Sequence, residues 1–295
     1  MKNHRLSRWI FIVYFFRETW YDLTEWEKGC VIMIETVTTD RFSMQYFRFG
    51  RGERIFVILP GLSVQSVMSS EEQVKAAYDI FADDYTVYLF DRRADLPPVY
   101  TVRDMARDTA EAIRALGLRD IYLFGASQGG MMAQVIAIEY PELVRRMALG
   151  STSPRVTEEA GSAIETWIRL AEAKDAVGLY LEFGKLLYPP DVFEQFRGAL
   201  IGAGKSVTDA ELERFRILAR GTEGFSVVDE LHKIQCPVLI LGDYEDAVLD
   251  SDGIMLIPEK LDLEPQHLYM YTGYGHAAFD TAPDYKQRIA RFFAE

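Results

Sequence analysis

Ile121-Tyr122-Leu123-Phe124-Gly125-Ala126-Ser127-Gln128-Gly129-Gly130-Met131-Met132 is the stretch whose reading decides the fold. An apolar run stops at a glycine, one serine follows among small residues, and an Ala/Met/Ile-rich helical pattern begins. This is G-x-S-x-G set between a strand and a helix, a turn sharp enough to hold a serine hydroxyl clear of the backbone. Gly125 and Gly129 lack the Cβ that would clash at such a bend, and Gly130 lets the helix lie close to the sheet. The helix N-terminus below Ser127 offers N–H groups and a positive dipole end to a developing oxyanion. The motif alone also fits a helix-capping serine in an ordinary strand–helix turn, so the rest of the chain must decide.

Outward from that turn, the chain alternates strands and helices. Phe42 to Phe49 alternates with period two, a half-exposed strand, and Gly50-Arg51-Gly52-Glu53 follows as a turn. Ile55-Phe56-Val57-Ile58-Leu59 and Thr86-Val87-Tyr88-Leu89-Phe90 are continuous apolar runs, as expected of strands buried on both faces. Ser69-Ser70-Glu71-Glu72-Gln73 has capping-box spacing for a helix carrying Val74, Tyr78 and Phe81. Thr101-Val102-Arg103-Asp104 starts another helix, which closes at Gly117. After the helix that follows Ser127, Val144 to Leu149 is a strand ending at Gly150-Ser151-Thr152. Residues 152–230 carry helical patterns and no strand. Pro237 to Leu241 and Gln266 to Tyr271 resume the sheet, and Thr281-Ala282-Pro283-Asp284 caps a last helix with Ile289, Phe292 and Phe293 inward. The order implies a doubly wound α/β sheet, parallel after an antiparallel start, with its site at the strands' carboxyl ends. The helical insert would cover those ends as a lid.

Composition narrows the class. The chain has 295 residues, 49% of them hydrophobic, with a net charge of −13. No basic cluster suits a nucleic-acid partner. Two cysteines, Cys30 and Cys236, make no disulfide framework, and Cys236, opening an apolar strand, reads as a buried thiol. Four scattered histidines leave no zinc-like cluster, so neither metal nor other cofactor is expected.

Residues 1–32 differ from the remainder. Lys2, His4, Arg5 and Arg8 precede Trp9 to Phe16, an apolar run. It lacks a small-residue cleavage site and is shorter than the roughly 20 residues that span a bilayer. An aromatic-rich peripheral anchor is one reading. The other is that the native start is Met33 and that residues 1–32 are an extension or a poorly ordered tail. A cytoplasmic location is expected, with membrane association or export through the apolar run as the alternative. Self-association as a homodimer stays open.

A serine nucleophile needs a base within hydrogen-bond reach, and the base needs an orienting carboxylate. In this topology each belongs just past a strand's carboxyl end. His276, in Gly273-Tyr274-Gly275-His276, fits; His267 and His232 precede strands and fall at the wrong edge, and His4 lies in the divergent tail. The loop after Leu241 offers Asp243, Glu245 and Asp246, whereas the loop after Leu149 has no carboxylate before Glu158.

In motif order and spacing, residues 33–295 resemble the lidded α/β-hydrolase superfamily. The resemblance rests on Pro60-Gly61, Asp91-Arg92-Arg93, Gly125 to Gly130, Pro237 to Gly242 with Asp246-Ala247-Val248, and Gly275-His276. It implies a core of residues 33–151 and 231–295 with a helical cap at 152–230. It also implies a triad of Ser127, Asp246 and His276, with Asp243 as the alternative acid. Backbone N–H groups of Leu62 and Gln128 would form the oxyanion hole. Pro60-Gly61 replaces the His-Gly of many relatives, and Ala94-Asp95-Leu96-Pro97-Pro98 replaces the usual Gly-x-Gly-x-Ser, so no subfamily follows. A serine nucleophile argues against haloalkane dehalogenases and epoxide hydrolases, which use aspartate there. The expected activity is hydrolysis of a small carboxylic ester or thioester. Acyl transfer, amide or carbon–carbon bond hydrolysis, and a non-catalytic ligand receptor remain rivals. A nucleotide-binding domain would need an acidic residue ending the next strand, which Gly150-Ser151-Thr152 lacks.

Overall fold

The structure, a computed structural model, describes residues 33–249 and 251–295. The expectations for residues 1–32, Cys30 among them, lie outside the described residues. Strands β1 (Ile34–Thr38), β2 (Ser43–Gly50), β3 (Arg54–Leu59), β4 (Tyr85–Arg93), β5 (Ile121–Ala126), β6 (Val144–Gly150), β7 (Val238–Asp243) and β8 (Leu268–Tyr271) form one sheet in the order β1-β2-β4-β3-β5-β6-β7-β8. β1 with β2 and β2 with β4 are antiparallel, and the remaining neighbours are parallel. β5 and β7 are buried along their whole length, which is why both read as continuous apolar runs.

Helices α1 (Glu71–Tyr78), α2 (Val102–Ala115) and α3 (Gln128–Glu139) follow β3, β4 and β5 in turn. Thr101 and Asp104 cap α2 reciprocally, and Gly117, at φ 71°, closes it. α3 is buried from Gln128 through Ile138, so it is apolar all round rather than along one stripe. One sheet face packs Leu123, Met147 and Val57 against α2 and α3. The other packs Phe56, Phe124 and Leu239 against Tyr78, Phe81, Tyr285 and Phe293.

Four helices, α4 (Glu158–Glu172), α5 (Ala176–Leu187), α6 (Pro190–Gly204) and α7 (Asp209–Arg220), intervene between β6 and β7. Pro189 and Pro190 fall at the N-cap and first turn of α6, where a missing N–H costs nothing. The chain enters and leaves this segment side by side, at the bridge between Arg155 and Ser226. After β7 come α8 (Ser251–Leu261), α9 (Ala278–Thr281) and α10 (Tyr285–Ala294). Among the described residues no helix is long and apolar enough to cross a membrane, and no group of three or more His, Cys, Asp and Glu could hold a metal ion.

Some local expectations change. α8 escaped the periodicity because Gly253 and Pro258 lie inside it, although Ile254 and Ile257 are buried. A 3-10 turn over Val67–Ser70, capped by Ser66, leads into α1, and the Ser70 side chain makes no cap bond to that helix. Thr281 ends α9 rather than capping α10, and Asp284 spends its carboxylate on the Tyr271 hydroxyl (2.9 Å) and on Arg288 (2.7 Å). β4 runs on through Arg93 because β2 pairs beside it, Met44 opposite Arg93. Cys236 is only partly buried, though burial still pushes its thiol up to about 12.

α7 begins with a full capping box, Thr208 accepting from the Glu211 N–H (3.3 Å) and Glu211 accepting from the Thr208 N–H (2.7 Å). Thr208→Ala is therefore expected to lower unfolding free energy by about 1 kcal/mol, measured by urea denaturation.

Candidate active site

Ser127 sits between β5 and α3 at φ 54°, ψ −123°, in the left-handed half of backbone space that a side chain rarely occupies. The crossing is possible because three glycines are absent side chains. A Cβ on Gly125 would stand 2.4 Å from the Gly129 oxygen, one on Gly129 2.0 Å from the Leu59 oxygen, and one on Gly130 2.5 Å from Thr152 Cβ. Hydrogen bonds fix the strained residue. Its N–H donates to the Gly150 carbonyl (2.9 Å), and its own carbonyl accepts from the Gly130 N–H (2.9 Å), the Met131 N–H (3.1 Å) and the Thr152 hydroxyl (2.8 Å). Ser127 is the only residue from 121 to 130 that is not fully buried.

β7 and β8 end in register beside this turn, Asp243 opposite Tyr271. The loops beyond them carry the acid and the histidine. His276 Nδ1 lies 2.8 and 3.0 Å from the two carboxylate oxygens of Asp246, and both side chains are almost wholly buried. Asp246 also accepts from the Val248 N–H (2.8 Å) and the Leu249 N–H (2.9 Å). Burial alone would raise its pKa, but the His276 charge, the bond to His276 and these two N–H groups together outweigh burial and hold the carboxyl below its ordinary value. Asp243, the other candidate, is equally buried but faces elsewhere. It accepts from the Glu245 N–H (2.8 Å) and the Tyr274 N–H (3.0 Å), so it braces the two loops against each other, while the His276 bonds go to Asp246. The geometry thus joins Asp246, and not Asp243, to His276. The remaining described histidines lie apart: His267 bonds to Glu295 (3.2 Å), and His232 sits in the 3-10 turn Val228–Lys233.

Ser127 and His276 line one cavity of about 60 Å³ together with Gly61, Leu62, Gln128 and Trp167. Gly61 brings the loop after β3 against the serine, since a Cβ there would stand 3.3 Å from Ser127 Cβ. Leu62 follows in that loop, and Gln128 is the first residue of α3, whose N–H has no acceptor within its own helix. Both backbone positions expected to offer N–H groups therefore border the serine's cavity. From the helical segment, Trp167 and Leu187 line this cavity, whereas Leu186 and Phe225 pack against the core.

The sequence reading passed over three groups. Thr152 holds the Ser127 carbonyl. Arg92, which is 4% exposed, donates through one nitrogen to the Pro60 carbonyl (2.9 Å) and to Gln128 Oε1 (3.0 Å). Gln128 Nε2 in turn donates to the Leu218 carbonyl of α7 (2.8 Å). Desolvation lowers Arg92 to about 10, partly offset by Asp91, which also bonds Ser66 (2.5 Å) and Arg214 of α7. A charged pair continuing a buried strand was the available signal, since such a pair must find buried partners. Asp280, the third, lines a neighbouring cavity.

Residues 54–201, half of the chain, match the family model described as alpha/beta hydrolase fold. The chain belongs to that family. This α/β-hydrolase is 28% identical over 137 residues to the serine hydrolase BPHL of Mus musculus, a match covering 44% of the chain and about half, 47%, of the mouse protein's length. It is 22% identical over 228 residues to 3-oxoadipate enol-lactonase 2 of Acinetobacter baylyi, covering 75% of the chain and 83% of that protein. The fold superposes on MGS-M2, an alpha/beta hydrolase enzyme from a Medee basin deep-sea metagenome library, with a TM-score of 0.78 at 19% identity, over 88% of this chain and 98% of that one.

Because the Asp246 carboxyl is held below its unfolded value, its contribution to stability is present above the unfolded pKa and is lost as pH falls through the folded one. The stability gap between wild type and Asp246→Asn is therefore expected to be wide above about pH 5 and to narrow below about pH 4, read by denaturant melts across that range.

Proposed function

We propose that this α/β-hydrolase is a serine hydrolase that cleaves a carboxylic ester or thioester of a small, largely apolar substrate through an acyl-enzyme on Ser127. The observation that carries the reading is the pairing of His276 Nδ1 with Asp246 at 2.8 Å beside a serine held at positive φ in the same cavity. With Nδ1–H committed to Asp246, the other ring nitrogen of His276 is left as the base for the Ser127 hydroxyl. As Ser127 Oγ attacks the carbonyl carbon, His276 takes its proton. The Leu62 and Gln128 N–H groups receive the negative oxygen of the tetrahedral intermediate. His276 then gives the proton to the departing alkoxide or thiolate. A water, deprotonated by His276, attacks the acyl-serine and releases the acid, returning the proton to Ser127. Asp246 stays ionised throughout and stabilises the imidazolium.

The segment α4–α7 is proposed to act as the lid, and residues 152–230 as the cap over a core of residues 33–151 and 231–295. Trp167, Phe183 and Leu187 give the cavity an apolar roof suited to an acyl chain or ring. The named activity of the Acinetobacter relative, an enol-lactonase, falls within the same class of bond, because a lactone is a carboxylic ester.

A fluorophosphonate probe is expected to label wild type and to leave Ser127→Ala unlabelled; labelling that persists would overturn the nucleophile assignment. On a panel of esters, Asp246→Asn is expected to lower kcat by about 10³–10⁴-fold. Asp243→Asn, which loses one loop contact, should keep kcat within about tenfold while melting at lower temperature. An active Asp246→Asn beside a dead Asp243→Asn would move the acid.

A further inference from the structure

Beside the cavity of Ser127 lies a second one of about 120 Å³. The two share Gly61, Leu62, Phe183, Leu187 and Phe279, so they are adjoining lobes of one cleft. The second lobe runs from the cap past the loop after β3 toward α1 and the sheet. Its walls are apolar, among them Val67, Val74, Leu89, Phe124 and Leu200. Among its lining residues there is one carboxyl group, Asp280 of α9, four residues beyond His276.

Asp280 keeps some accessible surface, and it borders the lobe. Burial pushes its carboxyl above the ordinary range, against the pull of Lys286 and His276. Lys286 Nζ donates to the Phe279 carbonyl and sits 5.6 Å from the ring centre of Tyr78, itself a lining residue. Burial in turn lowers Lys286. The lobe therefore ends on an acid with a lysine behind it, in walls that offer little else polar.

We propose that Asp280 reads the substrate: in the lobe next to Ser127 it accepts a hydrogen bond from a neutral donor, a hydroxyl or amide N–H, carried on an otherwise apolar acyl or leaving group. This deepens the serine-hydrolase reading and rests on it. With Asp280 ionised, the chemistry disfavours the two charged alternatives. A substrate carboxylate would face Asp280 in a medium that screens poorly, and a substrate ammonium would add a second buried cation beside Lys286. A neutral donor meets neither penalty and satisfies an acceptor that apolar chains would leave desolvated. Sites that hydrogen-bond a substrate group discriminate strongly against analogues lacking it, because the site's own polar atom is then stranded.

The test uses the full chain and 4-nitrophenyl esters of short linear acids in matched sets, ending in methyl, hydroxyl, primary amide or ammonium, and then the reverse esters carrying the same ends on the alcohol. Wild type is expected to favour the hydroxyl- or amide-ended member of one set by at least about tenfold in kcat/KM. Asp280→Asn, whose amide oxygen still accepts, should keep most of that preference. Asp280→Leu should lose it and gain on the methyl-ended ester. Asp280→Leu combined with Lys286→Met gives the same reading should the single variant strand the lysine and fail to fold. Equal handling of all ends by wild type, a preference for the ammonium-ended ester, or a hydroxyl preference unchanged in the leucine variants would overturn the proposal. Binding of the same esters to Ser127→Ala, followed by thermal shift with and without Asp280→Leu, separates the two readings. A hydroxyl preference in binding that vanishes with Asp280→Leu upholds this inference even if Ser127 proves not to be the nucleophile. Its absence, with Ser127 still labelled by fluorophosphonate in wild type, overturns this inference and leaves the serine reading standing.

Discussion

A serine that must stand at φ 54° between a buried strand and a buried helix is the constraint on which the rest of this structure depends. A backbone held there costs on the order of 1–3 kcal/mol and persists only when its surroundings over-determine it. Here they do. β3, β5, α3 and the residue after Ser151 converge on the turn so closely that Gly125, Gly129 and Gly130 could not carry a Cβ without displacing backbone or Thr152. The same approach that forbids side chains supplies partners. Gly150 and Thr152 come from the end of β6, and both bond the backbone of Ser127. Strain at the serine and packing of the central strands are one arrangement, which is why the hydroxyl can be exposed while its neighbours are buried.

A second interaction joins that turn to the helical segment above it. Arg92 holds the Pro60 carbonyl on one side of the serine and the Gln128 side chain on the other, and Gln128 reaches the Leu218 carbonyl of α7. Asp91, adjacent, bonds Arg214 of the same helix and Ser66 of the turn before α1. A buried guanidinium is costly, and its Nε has no partner among the described residues. The cost is tolerable because Asp91 offsets part of it and because the guanidinium donates to two carbonyl oxygens, those of Pro60 and the Gln128 side chain. The loop after β3, the start of α3 and α7 are therefore tied together by a single polar web.

These facts also explain what the sequence could and could not disclose. The elbow was legible because its demands fall on glycine, whose placement at 125, 129 and 130 leaves a local trace. His276 was legible because topology alone puts it past the last strand. Asp246 could be separated from Asp243 only through family resemblance, since Asp243 ends β7, Asp246 lies three residues beyond, and what each side chain meets is set by the turn between them. Asp243 spends its oxygens on the Glu245 and Tyr274 N–H groups, a tertiary fact with no local signature. Asp280 was illegible for the same reason, and Arg92 left only the trace of a charged pair continuing a buried strand: the partners of such a charge appear only when the elements around it are in place. α8 was hidden differently, its stripe of Ile254 and Ile257 interrupted by Gly253 and Pro258.

Asp246 and Asp280 make the last point by contrast. Asp246 is buried and Asp280 partly so, and both lie within reach of the charge of His276, yet their carboxyls move in opposite directions. Asp246 meets the imidazole directly and collects two backbone N–H groups, so solvation by protein replaces what water gave. Asp280 has the charges of Lys286 and His276 near it, but burial outweighs them. The direction in which each carboxyl moves is thus set by the balance of burial against the charges and donors aimed at it. A carboxylate whose donors are all supplied by the protein is fixed in charge and suited to orient an imidazole. One bordering an apolar lobe is suited to take a donor from whatever enters that lobe, and Asp280 of α9 stands four residues beyond the first acid's partner, His276.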